Sequence, residues 1–179
     1  MISVLAVTVA TLIASANYGL AAEAKTFKAD IINAKKQEVG EASFTDTTNG
    51  MLIKLELKQN PPGISPGEHA MHIHEVGKCE PPFKSAGGHF NPMNNEHGFF
   101  GKKGKHLGDL PNIHVPKDAA LTVEVLVPQL NFTGKTGLFD KDGSALVIHQ
   151  GADDYRTDPA GNAGDRIACA VITQSAKSK

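Results

Sequence analysis

The chain has 179 residues, with 18 Lys and Arg against 19 Asp and Glu, 8 His, 2 Cys and no Trp. That length suits one domain with a sizeable core, and a formal charge of −1 leaves no general basic surface for a phosphate backbone, which argues against nucleic acid as a partner. A composition of 40% hydrophobic, 21% charged and 6% aromatic residues argues against a disordered or fibrous chain and leaves few stacking platforms for bases or sugars.

Met1 to Ala22 contain no Lys, Arg, Asp or Glu. The apolar run Met1–Ala16 is shorter than the roughly 20 residues of a membrane span, and small residues follow it at Gly19-Leu20-Ala21-Ala22. This predicts a secretory signal peptide over 1–22, with cleavage after Ala16 as a second option, and one mature domain over 23–179. The positively charged start typical of such segments is missing. No membrane attachment is expected once the segment is removed. In an exported chain the two cysteines, Cys79 and Cys169, either pair or remain buried thiols.

From Ala24 to Val39 there is no Gly or Pro. Phe27, Ile31 and Ala34 would share a helical face, whereas Phe27, Ala29 and Ile31 would share a strand face, so periodicity leaves both open. Further on, alternation starts at Ile53 in Met51–Lys58 and recurs in Leu121–Val127; Ser144–His149 and Ile167–Thr173 are short runs rich in Val and Ile. Thr48-Asn49-Gly50, Pro61-Pro62-Gly63, Pro66-Gly67 and Asp140-Lys141-Asp142-Gly143 are turn signals between them. Such spacing predicts an all-β antiparallel sandwich or barrel. Two stretches lack strand signal, Gly77–Pro111 and Gly151–Asp165, and long loops in a small domain are usually functional.

Seven of the eight histidines fall between His69 and His114. In His72-Ile73-His74 the two imidazoles point to one face of a strand and can reach one metal. Alone that pair is weak. His89, His97, His106 and Asp109 then follow with spacings of seven, eight and two residues, three nitrogens and a carboxylate, which is a set that zinc takes tetrahedrally. His149 ends the run Ala145–Ile148, with Asp153 and Arg166 beyond. Six histidines and Asp109 are too many to read as scattered surface residues, and metal binding is expected.

His69-Ala70-Met71-His72-Ile73-His74-Glu75, Ser85-Ala86-Gly87-Gly88-His89-Phe90-Asn91-Pro92, His97-Gly98, His106-Leu107-Gly108-Asp109-Leu110 and Gly161-Asn162-Ala163-Gly164-Asp165-Arg166-Ile167-Ala168-Cys169 together resemble the copper/zinc superoxide dismutases, over nearly all of Phe27–Ile172. The resemblance implies an eight-stranded antiparallel Greek-key β-barrel with two long functional loops, and strands rather than a helix over Ala24–Val39. It implies disproportionation of superoxide to dioxygen and hydrogen peroxide, with copper on His72, His74, His89 and His149 and zinc on His89, His97, His106 and Asp109. His89 would bridge the metals, Asp153 would join His72 to His97, and Arg166 would hold the substrate anion. His69 would be structural, and Cys79 and Cys169 would form the family's disulfide.

The sequence departs from animal members at Pro159 and Ala160, where they carry a lysine and a threonine in the loop that guides substrate. Lys102, Lys103 and Lys105 are candidates for replacing that positive field, with a solvated basic turn as the alternative. His114 is read as an ordinary surface or strand histidine. Asn131-Phe132-Thr133 fits a glycosylation sequon. The exported, compact form with its short guiding loop carries a periplasmic or secreted location as an expectation, and the family, which has both dimers and monomers, leaves a homodimer and a monomer open. The competing reading is a related domain that binds copper and zinc, or acts as a chaperone, without turnover.

Overall fold

In the computed structural model, which describes residues 24–174, the period-two runs fold as strands. They are β1 (Thr26–Asn33), β2 (Glu38–Thr47), β3 (Gly50–Leu57), β4 (Gly67–His69), β5 (Met71–His74), β6 (Ile113–Val115), β7 (Leu121–Val127), β8 (Ser144–His149) and β9 (Arg166–Ile172). The segment read as a signal peptide lies outside the described residues.

Ala24–Val39 resolves into β1, a tight turn and the start of β2. Phe27, Ala29 and Ile31 are buried and alternate with exposed Lys28 and Asp30, which is the strand periodicity and not the helical one. The turn needs no glycine. Asn33 Oδ1 accepts the backbone N–H groups of Lys35 and Gln37 at 2.9 and 3.0 Å, and Lys36 takes a left-handed conformation. Phe27 stands opposite Phe44, and Phe44 opposite Ile53, so the inner faces of β1, β2 and β3 coincide.

One sheet runs in the order β5-β8-β9-β1-β2-β3-β7, and a two-stranded ladder joins β4 to β6. Only Ala70 separates β4 from β5, so 67–74 is one strand that pairs first with β6 and then with β8. Counted this way the described residues form the eight strands of the curled antiparallel barrel. Ala70 makes the switch by donating its N–H to the Gly151 carbonyl and accepting from the His149 N–H.

The interior is apolar. Ile31, Phe44, Ile53, Leu55, Ile73 and Ile148 are among its fully buried members, each contributing roughly 1.5–3 kcal/mol. Alternation then sets the site. In β5, Met71 and Ile73 point into this core, which sends His72 and His74 to the opposite face. In β8, Leu146 and Ile148 point inward while Ala145 and Val147 face outward, where Phe83, Ala86 and Cys169 cover them. His149 continues that alternation onto the same outer face, and the register shift opposite it leaves Ile167 as the extra residue on β9. Both segments that lacked strand signal are the coverings of this face: no named strand occurs between His74 and Ile113 or between His149 and Arg166.

Candidate metal centre

The covering loop returns along β5 closely enough to pair with it. The Ile73 N–H donates to the Gly108 carbonyl at 2.9 Å, the Phe90 N–H donates to the Ile73 carbonyl at 2.8 Å, and single bridges set His72 opposite Asp109 and His74 opposite His89. Gly108 permits this approach, since a Cβ there would overlap the Ile73 carbonyl oxygen. The disulfide Cys79–Cys169, with Cα atoms 5.7 Å apart, ties the start of the loop to β9.

The result is two groups of donors, each with its atoms within 4.8 Å of one another: His72, His74, His89 and His149, and His89, His97, His106 and Asp109. His89 belongs to both, and all seven residues are buried. Around Asp109 Oδ1, the Nδ1 atoms of His89, His97 and His106 lie at 2.8, 3.2 and 3.3 Å. A tetrahedral zinc with bonds near 2.0 Å would place its donors about 3.3 Å apart, so this set fits zinc.

In the other group each ring is oriented by its far nitrogen. His72 donates from Nε2 to Asp153 Oδ2 at 2.8 Å, and His74 donates from Nδ1 to the Gly87 carbonyl at 3.1 Å. His149 Nδ1 faces the Gly164 carbonyl at 3.4 Å, and the Nε2 atoms of His74 and His149 stand 3.4 Å apart. Four imidazoles with free nitrogens converging are a donor set suited to copper. Among the described residues four buried side-chain polar atoms lack a hydrogen-bond partner, and three of them are here: His72 Nδ1, His89 Nε2 and His97 Nδ1. Unpaired buried polar atoms are costly, and their concentration at one point is what a metal centre requires.

Asp153 spans the two groups, accepting from His72 at Oδ2 and from His97 Nε2 at Oδ1, 3.0 Å away. Burial alone would raise its pKa, but these bonds and the Tyr155 N–H outweigh it and hold it below the ordinary carboxylate value. Asp109 behaves alike: burial opposes ionisation, while hydrogen bonds with His106, His89 and the Gly98 N–H keep it ionised. Burial, reinforced by neighbouring rings, lowers His89 to about 4 and His149 to about 3, and places His74 well below its ordinary value. Neutral imidazole is the ligating form, and these rings hold it across the physiological range.

In the metal-free protein these shifts have a sign. The unfolded chain takes protons on histidine near 6.5, whereas folded His89 and His149 take them only near 4 and 3. Stability is therefore complete above about pH 6.5 and falls as the pH drops toward 4. The expected result in calorimetry of the metal-free protein is a midpoint level from pH 8 to 6.5 and at least about 5 °C lower at pH 4.5. A midpoint level down to pH 4.5 would contradict the burial of these rings.

The other residues singled out in the sequence find plain places. His69 is buried with Nδ1 2.7 Å from the His149 carbonyl and Nε2 2.8 Å from the Ser65 carbonyl, bracing the backbone under the site. His114 is exposed on β6 and pairs with Glu68 at 2.8 Å. Asn131 Nδ2 donates to the Gln129 carbonyl and to Thr136 Oγ1. Of the three lysines, Lys105 is turned inward, its ammonium donating to the carbonyls of His106, Leu107 and Asp109, so it clamps the turn that carries Asp109 and adds little to a field in solvent. Lys103 is 3.4 Å from Glu96, and Lys102 is exposed. An open groove of about 1210 Å³ lies beside Asn33, Lys35, Lys84, Asp165 and Arg166, and none of the seven donors lines it.

The sequence profile of the copper/zinc superoxide dismutases matches residues 38–172. The chain belongs to that family. It is 50% identical to a copper/zinc superoxide dismutase of Aquifex aeolicus over 159 residues, covering 87% of this chain and 92% of the relative. The structure resembles that of a mutant superoxide dismutase-like protein from Bacillus subtilis, with a TM-score of 0.76, 38% identity and coverage of 82% and 97% of the two chains. It also resembles the copper/zinc superoxide dismutase of Brucella abortus, with a TM-score of 0.66, 26% identity and coverage of 83% and 99%. As a copper/zinc superoxide dismutase, this chain is an enzyme that converts superoxide to dioxygen and hydrogen peroxide with copper and zinc as cofactors. The reading as a binding domain without turnover is not favoured.

Proposed function

We propose that His72, His74, His89 and His149 hold the copper, that His89, His97, His106 and Asp109 hold the zinc, and that Arg166 binds superoxide beside the copper. The observation that carries this reading is the shared His89, whose Nδ1 lies 2.8 Å from Asp109 while its buried Nε2 has no partner and belongs to the four-histidine group. Copper supplies one-electron exchange in both directions, which zinc cannot.

The protein's part is to bind an anion and to move protons. Arg166 donates from Nη1 to the Phe83 carbonyl at 2.8 Å and from Nη2 to the Gly87 carbonyl at 2.6 Å. Gly87 also accepts from His74, so one carbonyl fixes the guanidinium against a copper-side ring. The half-buried guanidinium stays cationic, and its remaining donors can hold a small anion. His89 Nε2 is the position at which a proton can be held and given to the superoxide being reduced. Two superoxide ions and two protons thus yield one dioxygen and one hydrogen peroxide.

Export to the periplasm or the exterior agrees with the apolar residues 1–22 and with a disulfide, which persists in oxidising compartments. A homodimer is the assembly proposed, to be checked by sedimentation.

Metal analysis of the purified protein beside a superoxide assay tests the ligand reading. One copper and one zinc per chain, with activity lost on copper removal and regained on its return, are expected. Zinc without copper, and no activity after copper is supplied, would refute the copper half.

A further inference from the structure

Asp153 links the two donor groups, and its own position depends on neighbours outside them. Asn112 holds its backbone from one side: Nδ2 donates to the Asp153 carbonyl and Oδ1 accepts the Asp153 N–H, both at 2.9 Å. Tyr155 holds it from the other. Its N–H donates to Asp153 Oδ1 at 2.7 Å, the same oxygen that accepts from His97. To do so it takes a left-handed backbone conformation, φ 58°, which a bulky residue rarely adopts.

Every other polar group of Tyr155 serves the same placement. Its hydroxyl accepts the Asn112 N–H at 2.5 Å, and its carbonyl accepts the Phe100 N–H at 3.2 Å. That carbonyl lies against Gly98, where a Cβ would collide with it. The ring packs on Phe99 and Phe100 with centroids 4.8 and 6.3 Å away; Lys105 lies over the Phe99 ring at 5.6 Å and Arg156 over the Phe100 ring at 4.4 Å. Phe99 and Phe100 lie in the stretch between His97 and His106, so one side chain joins that loop, the 151–165 loop and Asn112.

We infer that Tyr155 is a positioning residue for the metal centre: with Asn112 it locks the Asp153 carboxylate between His72 and His97 and thereby slows release of zinc. The inference rests on the ligand assignment proposed above. If Asp153 turns, His97 Nε2 loses its acceptor, and the ring is no longer held in the form that presents Nδ1.

The test compares the copper- and zinc-loaded protein with Tyr155→Leu, Tyr155→Phe and Asp153→Asn. Zinc transfer to a chromogenic chelator at neutral pH and the visible absorption of the copper(II) protein are followed, with melting of the metal-free forms as a control. Tyr155→Leu is expected to release zinc about tenfold faster and to displace the copper band. Tyr155→Phe, lacking only the hydroxyl, should release it about threefold faster. Wild-type release and an unmoved band in Tyr155→Leu, even with lowered melting, would overturn the inference. If Tyr155→Leu does not fold, unchanged release in Tyr155→Phe overturns it. Fast release in Asp153→Asn alone defeats only the role of Tyr155, whereas wild-type release in Asp153→Asn defeats the ligand assignment beneath it.

Discussion

Replacing His72 with alanine is expected to empty the copper position, leave zinc near one per chain and lower superoxide turnover by about a hundredfold or more, to the level of the copper-free protein. The expectation follows from which nitrogen is free. His72 spends Nε2 on Asp153 and keeps Nδ1 buried and unpaired, and the ring belongs only to the four-histidine group. Alanine removes one of the four copper-side donors and none of the four around Asp109, and Asp153 keeps His97 and the Tyr155 N–H as partners. His97→Ala is the matching control. It belongs only to the other group, so zinc should fall while copper stays, and activity should drop far less because zinc carries no electron. Elemental analysis and a superoxide assay read both variants. Loss of zinc on His72→Ala with copper retained would reverse the assignment of the two groups.

Cys79→Ser should have the largest effect on stability. The bond closes a loop of sequence separation 90, worth on the order of 4–5 kcal/mol at most by chain entropy, or roughly 10–15 °C in melting temperature. The loop so tied carries Phe83 and Ala86, which pack with Ala145, Val147 and Cys169, and it carries the two carbonyls that accept from Arg166. Activity should therefore fall before copper is lost. A reductant should lower the melting temperature of the wild-type protein by a similar amount and leave Cys79→Ser unchanged. Equal melting of wild type and variant would show that the loop is held by its packing and hydrogen bonds alone.

Much of the fold was legible because alternation is a local property. Met51–Lys58 and Leu121–Val127 each write their inner and outer faces directly, and the two stretches without alternation proved to be the loops over the metal centre. Ala24–Val39 was ambiguous because its turn is made by Asn33 and a left-handed Lys36 instead of a Gly or Pro signal. The family resemblance implied strand there, and the pairing of β1 with β2 bears that out. The three-residue β4 and β6 are too short for any period to show, and their pairing across a long chain separation defines them.

Local order along the chain was enough for the alternating strands, for the residue types of the metal centre and, through their motifs, for the family. Side chains two apart in a strand share a face, so His72 and His74 needed no further information. Other features take their geometry only once the barrel has closed: His89, which the family resemblance already implied for both metals, lies in both donor groups, Lys105 turns inward, and Tyr155 joins two loops through Asn112. The physical reason is that most of these are contacts between segments distant along the chain. A lysine that clamps three carbonyls and one that stays in solvent have the same local sequence signature, and the packing of the loop against the barrel chooses between them.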